Sequence, residues 1–323
     1  MKVVITGANG FVGRSLLHRL VNGKAFGDVA ASLPLGAVLE PIAVVRSASS
    51  AAALRRSFPG LDVVDVNAGG WEACLRNANA VVHLAWSTVP VSANADPGVD
   101  LEANLTGGLR LLEACGRAGI GRFIFVSSGG TLYGAGNGVP HTEVTRTEPQ
   151  GAYGASKYCF ENYLQVRASH YGFGALALRP ANLYGYTGIA RKDQGVVEQW
   201  MDRILHQRTI DVWNGLDVVR DYVFIDDMID VLVAAIEQPL TVPVLNVGTG
   251  VGTSLRDLLE LLGGISGSEA VISLRGASPP AVPWNVLDPS LLQRTWNLAP
   301  RMALVQGATA LWKARATGGE AVA

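Results

Sequence analysis

A chain of 323 residues, 49% hydrophobic and only 16% charged, can bury a large core and is globular, not disordered. A formal net charge of −1, with Arg and Lys scattered and no basic run interleaved with aromatics, argues against a nucleic-acid partner. The three cysteines, Cys74, Cys115 and Cys159, form no close pair and read as structural thiols in a reducing compartment, not as a disulfide framework or zinc site.

The first element is a strand over residues 2–6, which runs into Gly7-Ala8-Asn9-Gly10-Phe11-Val12-Gly13 and then into an amphipathic segment, 14–21. Strand, glycine turn and helix in that order suit a dinucleotide. Glycines let the backbone approach a pyrophosphate, and the helix N-terminus offers N–H groups and a positive dipole end. A strand starting at residue 2 leaves no room for a signal peptide, and apolar stretches such as 231–236 are too short to span a bilayer. A soluble, cytoplasmic protein is the expectation.

Further strands are expected at 41–45, 62–66, 80–84, 123–127 and 175–178, with helices between them, clearest at 101–118 and 156–171. Near-continuous apolar strands alternating with helices imply an α/β fold, a doubly wound parallel sheet covered on both faces. After Tyr184 the texture changes: a Gly- and charge-containing stretch at 185–195, a helix at 196–206 and a strand at 210–213. A strand–helix element at 222–238 and a strand at 244–247 return to the sheet, and helices follow at 254–262 and 304–314. Residues 1–182, with 216–248 returning to them, are read as a dinucleotide-binding domain, and 183–215 with 249–323 as a smaller substrate lobe. Residues 22–36 look like an insertion, 278–283 a Pro-rich segment and 316–323 a frayed tail.

Tyr153 and Lys157 stand four apart in a helical pattern and so project from one face. An ammonium beside a phenol favours phenolate, which lets a tyrosine take a proton from a sugar hydroxyl as hydride leaves the same carbon.

Together with the glycine turn, the segments 81–86 (VVHLAW), 104–113 (NLTGGLRLLE), 125–134 (FVSSGGTLYG), 179–185 (RPANLYG), 219–227 (VRDYVFIDD) and 246–250 (NVGTG) resemble, in order, the extended short-chain dehydrogenase/reductase family. The resemblance spans nearly the whole chain and lies with the nucleotide-sugar epimerases, dehydratases and 4-ketoreductases. It implies a Rossmann-type sheet holding NAD or NADP. The expected cofactor contacts are Gly7, Gly10, Phe11, Val12, Gly13, Leu84, Ala85, Trp86, Asn104, Tyr153, Lys157 and Pro180, with Asp65 and Val66 at the adenine. Arg46 directly follows the second strand, where NAD-binding folds usually carry an acid for the ribose 2′-hydroxyl. An arginine there accommodates a 2′-phosphate or stacks on adenine.

The loop after the fifth strand departs from the family's pattern. Gly129 occupies the place where relatives commonly carry a catalytic Ser or Thr, leaving Thr131 and Ser128 as candidate hydroxyls, Thr131 preferred. On the substrate side the resemblance carries Asn182 and Arg220 to a nucleotide-sugar diphosphate and Asp288 to a ribose or base. Trp284, where relatives often have an Arg, either stacks on a base or packs.

The function implied is a nucleotide-sugar 4-epimerase, UDP-hexose type, working through a 4-keto sugar by reversible hydride transfer to bound NAD(P). An NADPH-dependent 4-ketoreductase is the alternative, and a non-catalytic dinucleotide-binding protein a third reading. A dehydratase is disfavoured, because Gly130 and Thr131 stand where an Asp-Glu pair is usual. The expected partner is a second copy, paired through the helix at 101–118 and the helix of Tyr153. Leu101, Leu105, Leu109, Leu112 and Leu164 then serve either that interface or the chain's own core.

Overall fold

The computed structural model describes residues 1–23, 36–185, 195–276 and 282–316. The expected insertion in 22–36, the stretch 185–195, the Pro-rich 278–283 and the tail 316–323 lie wholly or mostly outside the described residues.

Six strands, β1 (Lys2–Thr6), β2 (Glu40–Val45), β3 (Asp62–Asp65), β4 (Ala80–His83), β5 (Arg122–Val126) and β6 (Gly174–Pro180), form one sheet with Val244–Val247. The seven lie in the order Val244–Val247, β6, β5, β4, β1, β2, β3, and every pairing is parallel. Parallel strands need crossovers, and the helices between them cover both faces. Alternate residues of β1 therefore feed opposite cores: Val3 and Ile5 one, Val4 the other. The chain runs outward from β1 to β3, then crosses back to β4 on the other side of β1. That reversal opens a crevice at the strands' carboxyl ends, the usual ligand site of such sheets.

Two helices differ from expectation. The helix at 101–118 is divided into a π-helical turn, Leu101–Thr106, and an α-helix, Gly107–Ala118. The helix expected from 156 begins earlier, at Ala152, and runs to Tyr171. Gly151 at its N-cap offers no side chain, and the Asn94 carbonyl oxygen accepts from the Ala152 N–H at 2.8 Å instead. Sequence inspection missed that start because the cap comes from 58 residues away in the chain.

Beyond the main sheet, Tyr222–Phe224 pairs in parallel with Asn182–Tyr184. Val219–Arg220 lies between Thr253–Ser254 and Trp284–Asn285, and Ile210–Val212 pairs with Ile272–Leu274. Among the described residues no helix is long and apolar enough to cross a membrane.

A buried charge pair fixes the Ala152–Tyr171 helix to the sheet. Arg179 of β6 donates from Nε and Nη2 to the Glu161 carboxylate, the shortest contact 2.6 Å, and from Nη1 to the Tyr133 hydroxyl at 2.9 Å. The Tyr133 hydroxyl in turn donates to Asn246 Oδ1 at 2.6 Å. Removing one member of such a pair strands the other charge. Glu161→Ala is expected to lower unfolding stability by about 3–5 kcal/mol in urea titration, far more than removal of the half-exposed Glu113 that pairs with Arg167.

Candidate active site

A cleft of about 750 Å3 opens above the reversal. The glycine turn, the β4 and β5 loops, the Tyr153 helix and the segments around Asn182 and Arg220 line it. Of the residues expected at the site, it brings together Gly7, Gly10, Phe11, Val12, Gly13, Leu84, Trp86, Ser128, Thr131, Tyr153, Lys157, Pro180, Asn182 and Arg220.

The turn is built for backbone alone. Gly7 has φ +65, and a Cβ there would stand 2.7 Å from Ala85 N; one at Gly13 would stand 2.4 Å from Gly7 O. The Phe11–Asn22 helix starts there with no side-chain cap and no acid in its first turn. An N-terminus that lacks its own carboxylate and faces a cleft fits the pyrophosphate of a dinucleotide.

Lys157 is buried beneath the cleft floor. Its Nζ donates to Val126 O at 2.6 Å and lies 4.3 Å from the centroid of the Trp86 ring, 4.7 Å from that of Phe125 and 5.6 Å from that of Tyr153. Burial pulls its pKa down to about 7, against the opposing pull of Glu161 and Asp100. Asp100 is itself fully buried and accepts from Thr88 Oγ1, Ser156 Oγ and, at 2.9 Å, Asn104 Nδ2. Neighbouring His83 is held neutral: burial, then Lys157, depress it to about 3, and its Nδ1 shares a 2.7 Å hydrogen bond with Thr6 Oγ1.

The loop after β5 answers the question raised by Gly129. Ser128, Gly130 and Thr131 line the cleft, whereas position 129 faces away from it. A Cβ there would lie 2.4 Å from Leu287 Cδ1 and 3.1 Å from Arg179 O. Thr131 Oγ1 is buried and has no hydrogen-bond partner among the described residues, so its hydroxyl is uncommitted.

Arg220 lines the cleft beside Asn182, and neighbouring Asp221 faces the opposite way. The Arg220 Nη1 donates to Val219 O at 2.8 Å, and among the described residues no carboxylate forms an ion pair with it. Burial lowers its pKa, and a phosphate would relieve that cost. Asn182 Nδ2 donates to Asp221 O at 3.1 Å.

Six expected residues lie outside the cleft lining. Asp65 caps its own helix, accepting from Asn67 N at 3.1 Å, and Val66 opens that helix. Ala85 sits under Gly7, its N–H donating to Thr6 Oγ1 at 3.3 Å. Asn104 is buried, its Oδ1 accepting from Ser87 N at 2.6 Å. Asp288 accepts from Ser290 N at 2.7 Å. Arg46 is exposed at the end of β2 and donates to Ser87 Oγ at 3.1 Å. Trp284 packs: its ring stands where a Cβ on Gly136 would be, 2.2 Å away, and meets His141 edge-on.

Sequence reasoning missed the Asp100 network and the cleft wall made by Trp213, Asn214, Tyr184, Tyr222 and Glu198. Asp100 stands one helical turn before Asn104, a spacing that could have flagged the pair. Trp213 stands just past a three-residue strand too short to show periodicity.

The comparisons agree with this geometry. The model of the NAD dependent epimerase/dehydratase family matches residues 3–248. The UDP-glucose 4-epimerase of Mycolicibacterium smegmatis is 29% identical over 310 residues, 95% of this chain and 96% of that protein. Among solved structures, the UDP-glucose 4-epimerase of Thermotoga maritima with UDP-glucose superposes with a TM-score of 0.86 at 26% identity, covering 98% of this chain and 99% of the other. The Thermus thermophilus UDP-glucose 4-epimerase in complex with NAD gives 0.83 at 28% identity, covering 97% and 98%. The chain belongs to the NAD dependent epimerase/dehydratase family.

Lys157 makes the nucleotide-free protein's stability depend on pH. Its folded pKa lies below the 10.5 of an exposed lysine, so between about 7 and 10.5 the unfolded chain holds a proton that the folded chain has released. Stability from this group therefore rises as pH climbs through that window, by an amount on the order of a few kcal/mol. In urea unfolding at pH 7, 8 and 9, Lys157→Met is expected to lose this rise; an identical pH slope in both proteins would refute the assignment.

Proposed function

We propose that this member of the NAD dependent epimerase/dehydratase family is a nucleotide-sugar 4-epimerase acting on a UDP-hexose. The observation that carries the reading is a single cleft lined by Tyr153, Lys157 and an uncommitted Thr131 hydroxyl, with an uncapped helix at one end and Arg220 at the other. UDP-glucose in the Thermotoga maritima relative supports the substrate class.

In this reading Tyr153 is the general base for the sugar C4 hydroxyl, and Lys157 in its cationic form favours the phenolate. Thr131, or Ser128 beside it, bridges the sugar oxygen and the phenol. When bound, the nicotinamide supplies a reversible two-electron acceptor for the sugar carbon. Arg220 and Asn182 hold the diphosphate while the 4-keto sugar turns, and Asp288 serves the ribose or base from the rim. Gly7, Gly10 and Gly13 and the N–H groups of the first helical turn hold the cofactor's pyrophosphate. Leu84, Trp86 and Pro180 shape its nicotinamide half, and Arg46, Asp65, Val66, Ala85 and Asn104 shape or support its adenosine half. The division into a dinucleotide lobe (1–182 with 216–248) and a sugar lobe (183–215 and 249–323) belongs to the same proposal.

The protein is proposed to pair with a second copy. Leu112 and Leu164 are fully buried within the chain, and Leu105 and Leu109 pack against its core, so they serve the monomer. Leu101, Tyr163 and Val166 remain exposed on the two helical segments, and Val99 just before the first of them. Sedimentation is expected to show a dimer that the double substitution Leu101→Glu, Val166→Glu converts to monomer.

Purified protein with its bound nucleotide should interconvert UDP-glucose and UDP-galactose with no added cofactor. Tyr153→Phe should lower kcat by roughly 10³-fold or more and Thr131→Val by roughly 10²-fold. Stoichiometric consumption of NADPH with a 4-keto sugar, without interconversion, would replace the epimerase by the reductase. Unchanged turnover in Tyr153→Phe would remove both.

A further inference from the structure

We infer that Trp86 is a positioning residue for the reaction: its indole face holds Lys157 in the cationic form that Tyr153 needs, and so sets the alkaline limit of activity. The inference rests on the epimerase reading for its kinetic readout; the contact between indole and ammonium stands without it.

Three rings surround the ammonium. Lys157 Nζ lies 4.3 Å from the centroid of the Trp86 ring, 4.7 Å from that of Phe125 and 5.6 Å from that of Tyr153. All three distances fall where a ring quadrupole attracts a cation, and indole attracts most strongly. Of the three N–H donors on Nζ, one is spent on Val126 O at 2.6 Å. Among the described residues no carboxylate forms an ion pair with Lys157. Ring faces take the place a counter-ion would hold.

The charged and titratable neighbours are committed elsewhere. Glu161, one turn along the same helix, is bonded by Arg179 of β6. Asp100, just before the π-helical turn, accepts from Thr88, Ser156 and Asn104. Both carboxylates favour the cation through their field and not by contact. His83 of β4 is held neutral and stacks on Phe125, with ring centroids 5.7 Å apart. Tyr133, from the loop after β5, bonds Arg179 and Asn246.

Trp86 also reaches the other member of the pair. It lines the cleft just after β4 and meets the Tyr153 ring edge-on, 6.4 Å between centroids. Phe125 and Phe160 fix its ring from behind, at 5.6 and 6.1 Å. Because burial already draws the Lys157 pKa down to about 7, weakening one attractive contact moves its charge within the working range of pH.

The test places tetrafluorotryptophan or monofluorotryptophan at position 86 alone, by nonsense suppression. Fluorine keeps the indole's shape and strips the negative charge from its face. In the holoenzyme the alkaline edge of kcat for UDP-glucose is expected to fall by about one pH unit with the tetrafluoro ring and by less with the monofluoro ring. In nucleotide-free protein, the rise of urea stability with pH that Lys157 causes should begin about one unit lower, because the folded pKa has dropped further below that of the unfolded chain. Trp86→Phe, which keeps a ring face, should shift both readouts less than Trp86→Leu. Either readout staying in place with the tetrafluoro ring would overturn the inference, even if Trp86→Leu loses activity, since the indole would then only pack. Failure of the epimerase reading would look different: wild-type protein would not interconvert the UDP-sugars, and the stability readout would still decide whether the indole holds the charge.

Discussion

Everything at this site depends on one buried ammonium. Lys157 has left water, and the cost of moving an isolated cation inside is several kcal/mol even after relaxation. What offsets it is local and specific: the Val126 carbonyl, the faces of Trp86 and Phe125, and two carboxylates, Asp100 and Glu161, which favour the charged form. Each compensating group comes from a different element. Val126 ends β5, Trp86 follows β4, Asp100 precedes the π-helical turn, and Glu161 lies one turn further along the lysine's own helix. Placing that one charge therefore fixes how four elements meet around the cleft.

Both carboxylates have second tasks, which makes the site a connected polar core. Glu161 also neutralises Arg179, whose guanidinium reaches Tyr133 at the far side of the loop after β5, and Tyr133 reaches Asn246 on the Val244–Val247 strand. Asp100 gathers Thr88, Ser156 and Asn104, and Asn104 then holds the Ser87 N–H. Asp100 and Asn104 stand four apart along the helical run and so meet on one face. The loop bearing Thr131 and the helix bearing Tyr153 are thus held by one network, and their separation is set by it.

How much of this could be read from residues alone follows the range of the interactions. The glycine turn, β1 and the Tyr153–Lys157 spacing are local patterns, and the structure places all of them where the pattern says. The doubly wound sheet was equally legible, because apolar runs between helices report burial on both faces. Long-range partners were not. Gly129 looked like a lost catalytic hydroxyl, but Leu287, 158 positions away, fills the space its side chain would need. Asn104, read as a cofactor contact, is buried in the Asp100 network, which no local pattern shows. Trp284 could have stacked on a base, yet it packs on Gly136, which has no side chain to keep the ring away.

Arg220 and Asp221 show why charge at a site cannot be summed from sequence. Adjacent in the chain and opposite in charge, they are near enough in sequence to pair with each other and cancel. Arg220 ends the Val219–Arg220 strand and Asp221 is the single residue linking it to Tyr222–Phe224, and their side chains go opposite ways. Asp221 turns inward, fully buried, and accepts from the N–H groups of Thr249, Gly250 and Leu287 and the Thr249 hydroxyl. Those bonds tie the end of the last sheet strand to the segment around Leu287, the residue that also closes off position 129. Arg220, left on the other face with only a backbone acceptor, gives the cleft its cationic end. Two neighbours facing opposite ways thus supply both the anchor behind the loop that follows β5 and the charge that faces the cleft.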